Sequence, residues 1–270
     1  MIDFHTHAFP DALAERAMAK LDAEGGIPHY SDGTVRGLLA SMSAAGIERS
    51  VLCSIATKPA QFADILAWSL RLREEHGGRI VPLASVHPKD HDLPAHIEAA
   101  RAAGLAGIKM HAYYQDFILD DPALFPLYEA ASELGLVVVE HCGFDVAFPR
   151  IRRADATRIL NLTRHFPDLK LVAAHVGGWD DWDEVERLLI GEPVHLELSF
   201  GVNMLEPARF KKMLLAHPQD YLLFGSDSPW TDQKASLEAL AALKLPDALF
   251  ERITGGNARR VLGEAQAPTL

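Results

Sequence analysis

Two histidines open the chain two residues apart, in Met1-Ile-Asp-Phe-His-Thr-His7. Ile2, Phe4 and Thr6 alternate with Asp3, His5 and His7, the period of a strand, so His5 and His7 share a face. Two imidazoles so placed sit about 7 Å apart at the backbone and can reach one metal ion. A lone histidine would read as a polar strand edge. A pair on an otherwise apolar strand needs a shared purpose, because two buried imidazoles facing one interior are costly without one. Further polar residues end apolar runs downstream: Lys109 and His111 in GIKMH, His141 in LVVVEH, His175 in LVAAH and Asp227 in LLFGSD. Strict alternation places Gly107, Lys109 and His111 on one face, and likewise Val137, Val139 and His141. The same rule groups Leu171, Ala173 and His175, and Leu223, Gly225 and Asp227.

The chemistry this set can do is metal-assisted. Zinc or a similar divalent ion takes imidazole nitrogens and a carboxylate and keeps one position for water, whose pKa falls to about 7. His5, His7 and His141 offer three nitrogens and Asp227 a carboxylate, with one ion, Zn(II), expected rather than two. Asp227 can also take a proton from the water and pass it to the leaving group. His175 is either a second-metal ligand or an unligated acid/base. His111 joins it as a possible second-metal or substrate-binding residue. Lys109 has three readings: a cation for a substrate carboxylate, a carbamylated bridge between two metals, or a structural lysine paired with a carboxylate such as Asp3.

Trp179 and Trp230, just beyond the sixth and eighth apolar runs, can wall a substrate pocket or pack as ordinary loop residues, as can Tyr113 and Tyr114. Arg150 follows the fifth run, where it is a solvated charge or a bidentate clamp for a substrate carboxylate. His195 and Glu197 share a face, and Glu197, if inward, suits a partner for a buried cation. Glu140 falls on the outward face. His87 reads as a core or loop histidine.

The elements that must position these groups alternate regularly. Strands are expected at 1–7, 49–57, 79–86, 105–111, 136–141, 168–175, 194–199 and 221–227. Helical spacing fills 10–24, 34–45, 59–75, 93–103, 122–134, 155–166, 182–190, 206–217 and 232–243, with Asp32 or Thr34 offered as an N-cap. A short helix and a helical turn at 257–262 follow. Eight such units argue an α/β fold closed as a (β/α)8 TIM barrel, one domain over 1–270 with a C-terminal helical tail. No Gly-rich dinucleotide turn follows the first strand, which disfavours an open doubly wound sheet. In a barrel, function gathers at the C-terminal strand ends, where the polar residues above fall.

Composition narrows the partners. The 270 residues are 49% hydrophobic, and the net charge of −11 disfavours nucleic acid and anionic membranes. No apolar run spans a bilayer, and the first strand carries no signal-peptide pattern. Cys53 and Cys142 lie in apolar runs, as reduced core thiols do, so cytoplasm is expected. A small-molecule substrate is the expected partner, and a homodimer would be unsurprising for a barrel.

The HTH opening, GIKMH, His141, AHVGG (174–178), FGSDSPW (224–230) and the terminal GNARRVL together resemble the amidohydrolase superfamily. Within it they are similar to the branch of aminocarboxymuconate-semialdehyde decarboxylase and related lactonases, from Asp3 to Leu262. The resemblance implies a metal at His5, His7, His141 and Asp227, with His175 as catalytic acid/base. Residues 107–111 lack the metal-binding glutamate of the deoxyribonuclease-like branch. The leading expectation is a metal-dependent hydrolase that cleaves an ester, lactone or amide of a small carboxylated substrate. A nonoxidative decarboxylase of an unsaturated or aromatic acid is the alternative, and a catalytically silent binding barrel the third reading. The further His and Asp clusters of a three-metal phosphoesterase are not found.

Overall fold

Eight parallel strands close into a barrel in the computed structural model, which describes residues 1–264. They are β1 (Ile2–Thr6), β2 (Arg49–Leu52), β3 (Ile80–Pro82), β4 (Gly107–His111), β5 (Val137–His141), β6 (Lys170–Ala173), β7 (His195–Glu197) and β8 (Leu222–Leu223). Continuous ladders join β1-β2-β3 and β4 through β8. Two thin seams complete the ring. At one, Ala84 bridges Ile108 and Lys109 N donates to Ala84 O; at the other, Thr6 bridges Ser228 and Phe4 N donates to Phe224 O. Residues 265–270, assigned to the helical tail from sequence, lie outside the described residues.

Helices alternate with the strands as the spacing predicts. The first six are α1 (Asp11–Gly25), α2 (Val35–Ala45), α3 (Phe62–Glu75), α4 (Leu93–Ala102), α5 (Phe125–Glu133) and α6 (Ala156–His165). After β6 come α7 (Trp182–Leu188), the short α8 (Gly201–Met204), which sequence reading did not anticipate, and α9 (Pro207–Ala216). The chain then adds α10 (Gln233–Ala242), α11 (Asp247–Glu251) and α12 (Asn257–Val261). Thr34, one of the two expected caps, accepts from Gly37 N at the start of α2 and satisfies an otherwise orphan donor.

Two apolar layers follow from strand alternation. Ile2, Phe4, Val51, Leu83, Val137, Val139, Val172 and Leu223 fill the barrel, and Ala258 and Val261 of α12 pack against them. Leu52, Ile108, Met110, Val138, Leu171, Ala173, Leu196 and Phe224 face outward into the larger core shared with the helices. Each of the larger side chains (Val, Leu, Ile, Met and Phe) contributes about 1.5–3 kcal/mol by leaving water.

The layers correct two sequence expectations. Leu171 and Ala173 face the helices and Val172 the interior, so His175 does not reach the site by alternation along β6. In β1, Asp3 pairs with Ser50 but Thr6 with Leu52, so β1 spends one residue more than its neighbour. Such a bulge turns adjacent side chains to one side and often stands beside an active site. Ile2 and Phe4 therefore plug the barrel, while Asp3 turns away to accept from Ser226 Oγ and Gln233 Nε2.

Candidate active site

A cavity of about 460 Å³ opens at the C-terminal strand ends. Its floor carries His5, His7, Lys109, His111, His141, His175 and Asp227. Leu13, Ala17 and Leu21 of α1, with Val146 from the loop after β5, line it further out. Trp68, Trp179, Phe200 and Trp230 supply aromatic wall, with Trp179 and Phe200 stacked at 4.3 Å.

His5 and His7 reach this floor past the bulge in β1. Asp227 arrives from the turn after β8, at φ 61°, with its amide donating to His5 O. A left-handed non-glycine residue costs about 1–3 kcal/mol and persists where its surroundings fix it. His7 Nε2 lies 3.0 Å and His5 Nε2 3.3 Å from Asp227 Oδ1, and the two nitrogens are 3.1 Å apart. Buried Asp227 Oδ1 has no hydrogen-bond partner. Ligand atoms about 2.0–2.1 Å from a tetrahedral ion stand about 3.3 Å from one another. The trio therefore fits a divalent ion: two imidazole nitrogens and an orphan carboxylate oxygen, at ligand spacing.

Burial pushes Asp227 upward, but His5 and His7 outweigh it and hold the carboxyl below its ordinary value. Burial, then the Lys109 charge, drives His5 well below its ordinary pKa. Lys109, wholly buried, has Nζ 3.2 Å from His5 Nε2 and makes no carboxylate ion pair among the described residues. Asp3, proposed from sequence as its structural partner, is occupied elsewhere.

His141 stands apart from the trio. Its Nδ1 faces His175 Nε2 at 2.9 Å, and its Nε2 lies 3.1 Å from Phe144 O. With His111 and Asp145 it forms a second His-His-Asp group, with Asp145 Oδ2 3.4 Å from His111 Nε2 and 3.9 Å from His141 Nε2. The two rings stack with centroids 4.0 Å apart and planes 12° apart. With the two ring planes nearly parallel and offset, no single ion lies in both at about 2.0–2.1 Å. Burial is the first cause that holds His111 and His141 well below the ordinary histidine pKa.

His175 follows the end of β6 at φ 59°, with Val176 at φ 58°. Its Nδ1 meets Ser199 Oγ at 2.8 Å, and Trp182 Nε1 donates to its carbonyl. Burial, then His141, holds its pKa well below the ordinary value. Glu197 faces inward as considered, but its partner is the imidazole of His5, 2.9 Å away, and burial pushes its carboxyl up to about 7.

Trp179, Trp230 and Tyr114 line the cavity; Tyr113 instead anchors loops by donating to Gly143 O and Ile151 O. Arg150 is a correction. It is exposed, pairs with Asp180, lies over the Phe144 ring and is not among the cavity-lining residues. Asp145, Ser199, Phe200 and Trp68 were not singled out from sequence. The first three lie in loops beyond strand ends, where no periodicity aims a side chain.

A family model described as Amidohydrolase matches residues 2–263. Among curated proteins, a dihydroorotase of Vibrio parahaemolyticus is 27% identical over 116 residues, 39% of this chain and 34% of that protein. The match thus spans about a third of that relative's length. An uncharacterised TIM-barrel protein from Bordetella bronchiseptica superposes with TM-score 0.79 at 23% identity, over 97% of this chain and 98% of that one. A candidate 2-pyrone-4,6-dicarboxylic acid hydrolase from Pseudomonas putida gives 0.67 at 20%, over 97% of each chain. A dihydroxybenzoic acid decarboxylase from Polaromonas sp., solved with bound manganese, gives 0.71 at 13%, over 97% and 96%. At these identities the likeness is one of fold.

Proposed function

The chain belongs to the amidohydrolase family, and from that premise we propose that it is a metal-dependent hydrolase of a small carbonyl substrate: an ester, lactone or amide carrying a carboxyl group. One observation carries the reading. His5 Nε2, His7 Nε2 and Asp227 Oδ1 stand 3.0–3.3 Å from one another with the carboxylate oxygen unpartnered, at the floor of a substrate-sized cavity. A divalent ion such as Zn(II) held there would supply Lewis acidity and lower the pKa of a water beside it.

The chain's own groups complete the chemistry. Asp227, kept ionised by its imidazole neighbours, takes the proton of the attacking water and returns it to the leaving group. Lys109 Nζ, buried next to His5, donates to the oxygen on which negative charge develops. His175, held by Ser199 at Nδ1 and paired with His141 through Nε2, stands at the floor beside the ion site, where the pair would orient the water. The aromatic walls exclude bulk solvent and strengthen these interactions. The two buried free cysteines, Cys53 and Cys142, suit a reducing compartment, and we place the protein in the cytoplasm.

A nonoxidative decarboxylase is the second reading, favoured by the aromatic walls around a single deep ammonium, which suit a planar carboxylated ring. Turnover in ¹⁸O-labelled water separates the two. Label in the product of an ester, lactone or amide, lost on chelation and restored by Zn(II), supports hydrolysis. Carbon dioxide release from a carboxylated ring, with a product free of label, overturns it in favour of the lyase.

A further inference from the structure

α1 stands apart from the rest of the helical shell. Among the described residues it alone of the twelve helices contributes nothing to either apolar layer; its two buried side chains, Ala14 and Met18, join neither. A helix in a folded protein draws most of its stability from an apolar face packed against something. The apolar stripe of α1 is Leu13, Ala17 and Leu21, each four residues from the next, and all three line the catalytic cavity. Ile27, Ile65 of α3 and Val146 from the loop after β5 line the same space. Leu21, Ile27 and Ile65 are half-buried yet pack into neither layer, and Leu13 and Val146 are exposed. The end of α1 meets that loop, since a Cβ on Gly25 would stand 3.3 Å from Val146 Cγ2. The outer cavity is thus an aliphatic slot, and a contiguous apolar surface left open in this way marks a place where something apolar docks.

The floor is chemically different. There the aromatic side chains stand against the imidazoles, Trp230 5.0 Å from the His7 ring and Trp179 5.6 Å from the His175 ring, and the polar groups gather. The charges of α1 and α3 that line the slot give an anion no unpaired cation: Lys20 pairs with Glu24 at 3.6 Å, and Asp64 is an acid. A ligand that fills the whole cavity therefore has a polar end at the floor and an uncharged aliphatic end along α1.

We propose that the substrate is amphipathic: its hydrolysable, carboxylated head sits at the floor and a straight alkyl or acyl chain lies in the slot, which makes α1 the specificity-determining element. The head rests on the functional reading above; the tail rests on the slot alone.

Two homologous series test the proposal. Straight-chain carboxylates from acetate to decanoate, titrated calorimetrically into the protein, should bind about fourfold more tightly for each methylene seated. Their heat-capacity change should grow more negative along the series. N-acyl amino acids from acetyl to decanoyl, assayed with the Zn(II)-loaded enzyme, should gain kcat/KM by the same factor through KM. Their kcat should stay nearly constant, because a tail remote from the reacting carbon binds ground and transition states alike. Ala17→Trp, which fills the slot, should shrink the long-over-short ratio in both series by roughly tenfold or more, and Leu21→Ser by about tenfold. A Kd indifferent to chain length would overturn the proposal, as would a chain-length gain that both variants leave intact. Should Ala17→Trp fail to fold, Leu21→Ser decides alone. The two readings fail separately. A carboxylate series that climbs supports the tail whatever becomes of the head chemistry, whereas hydrolysis indifferent to chain length removes the tail and keeps the hydrolase.

Discussion

The cavity floor holds two groups of identical composition, His5-His7-Asp227 and His111-His141-Asp145, all six residues buried or nearly so. In the first, the acceptor atoms converge at 3.0–3.3 Å. In the second, the rings lie face to face at 4.0 Å with planes 12° apart, and the carboxylate stands 3.4 and 3.9 Å from their nitrogens. The difference is one of direction. The bulge in β1 and the left-handed Asp227 bring three lone pairs to a point. His111 and His141 are register partners on adjacent paired strands, and the ladder keeps their rings parallel. An inventory of ligating residue types does not distinguish the groups; the backbone that aims them does.

The sharpest way to break this comparison is to neutralise the two carboxylates in turn. Asp227→Asn keeps shape but loses the proton acceptor and a ligand charge, and kcat should fall roughly 10²–10⁴-fold. Asp145→Asn should cost less than about tenfold, because Asp145 lies 3.4 Å or more from both imidazole nitrogens. Steady-state kinetics on folded variants decides, and equal losses would erase the distinction.

Ion binding gives the next contrast. His7→Gln should abolish the metal content measured by mass spectrometry, whereas His111→Gln should leave it unchanged. Stripping the ion should lower stability as the loss of any ligand specific to the native state does, by about 2.7 kcal/mol for an ion present at 100 times its Kd. In calorimetry that shift should appear for wild type and His111→Gln and vanish for His7→Gln.

How much of this was readable in advance depended on whether a strand lasted as far as its functional residue. β4 and β5 are paired through His111 and His141, and alternation correctly aimed Lys109, His111 and His141 inward and Glu140 outward. β6 ends at Ala173 and β8 at Leu223, before His175 and Asp227. Those two side chains are delivered by left-handed turns, so extending the strand pattern to them misassigned Leu171 and Ala173. His5 and His7 were found from spacing, but the bulge beneath them was not, because an extra residue leaves no periodic trace. Ser199 meets His175 through a hydrogen bond across 24 residues, and Asp145 approaches His111 from the loop after β5; no local pattern encodes either contact.

A histidine remote from both groups separates acid loss of fold from acid loss of site. His195 lies on β7 beside the Tyr221 ring, and burial, then Arg260, pushes its pKa down to about 4. Unfolded, it titrates near 6.5, so between pH 6.5 and 4 the unfolded state binds more protons. Its contribution is intact above pH 6.5 and declines as pH falls, by about 3 kcal/mol at pH 4. Denaturant titrations should show His195→Phe losing less stability than wild type between pH 7 and 4, by up to that amount. The acid limb of activity at pH values where both proteins remain folded should be unchanged. A stability curve parallel to wild type would place the charge cost elsewhere.

The smallest effect is expected at Arg150, where sequence offered a substrate clamp. The guanidinium pairs with Asp180, which is itself exposed, and lies 3.9 Å from the centre of the Phe144 ring. An exposed ion pair of this kind contributes about 0–1 kcal/mol, and its loss is further masked by salt. Arg150→Ala should therefore leave KM for a carboxylated substrate within about twofold. The clamp reading requires a bidentate bond to be lost, which at about 1.5–3 kcal/mol for a charged hydrogen bond would raise KM at least tenfold. A rise of that size would return Arg150 to the substrate. It would also mean that the loop after β5, which carries Asp145 at one end and Arg150 at the other, closes over the stacked histidine pair during binding. That movement would make the second His-His-Asp group part of substrate recognition rather than a passive wall.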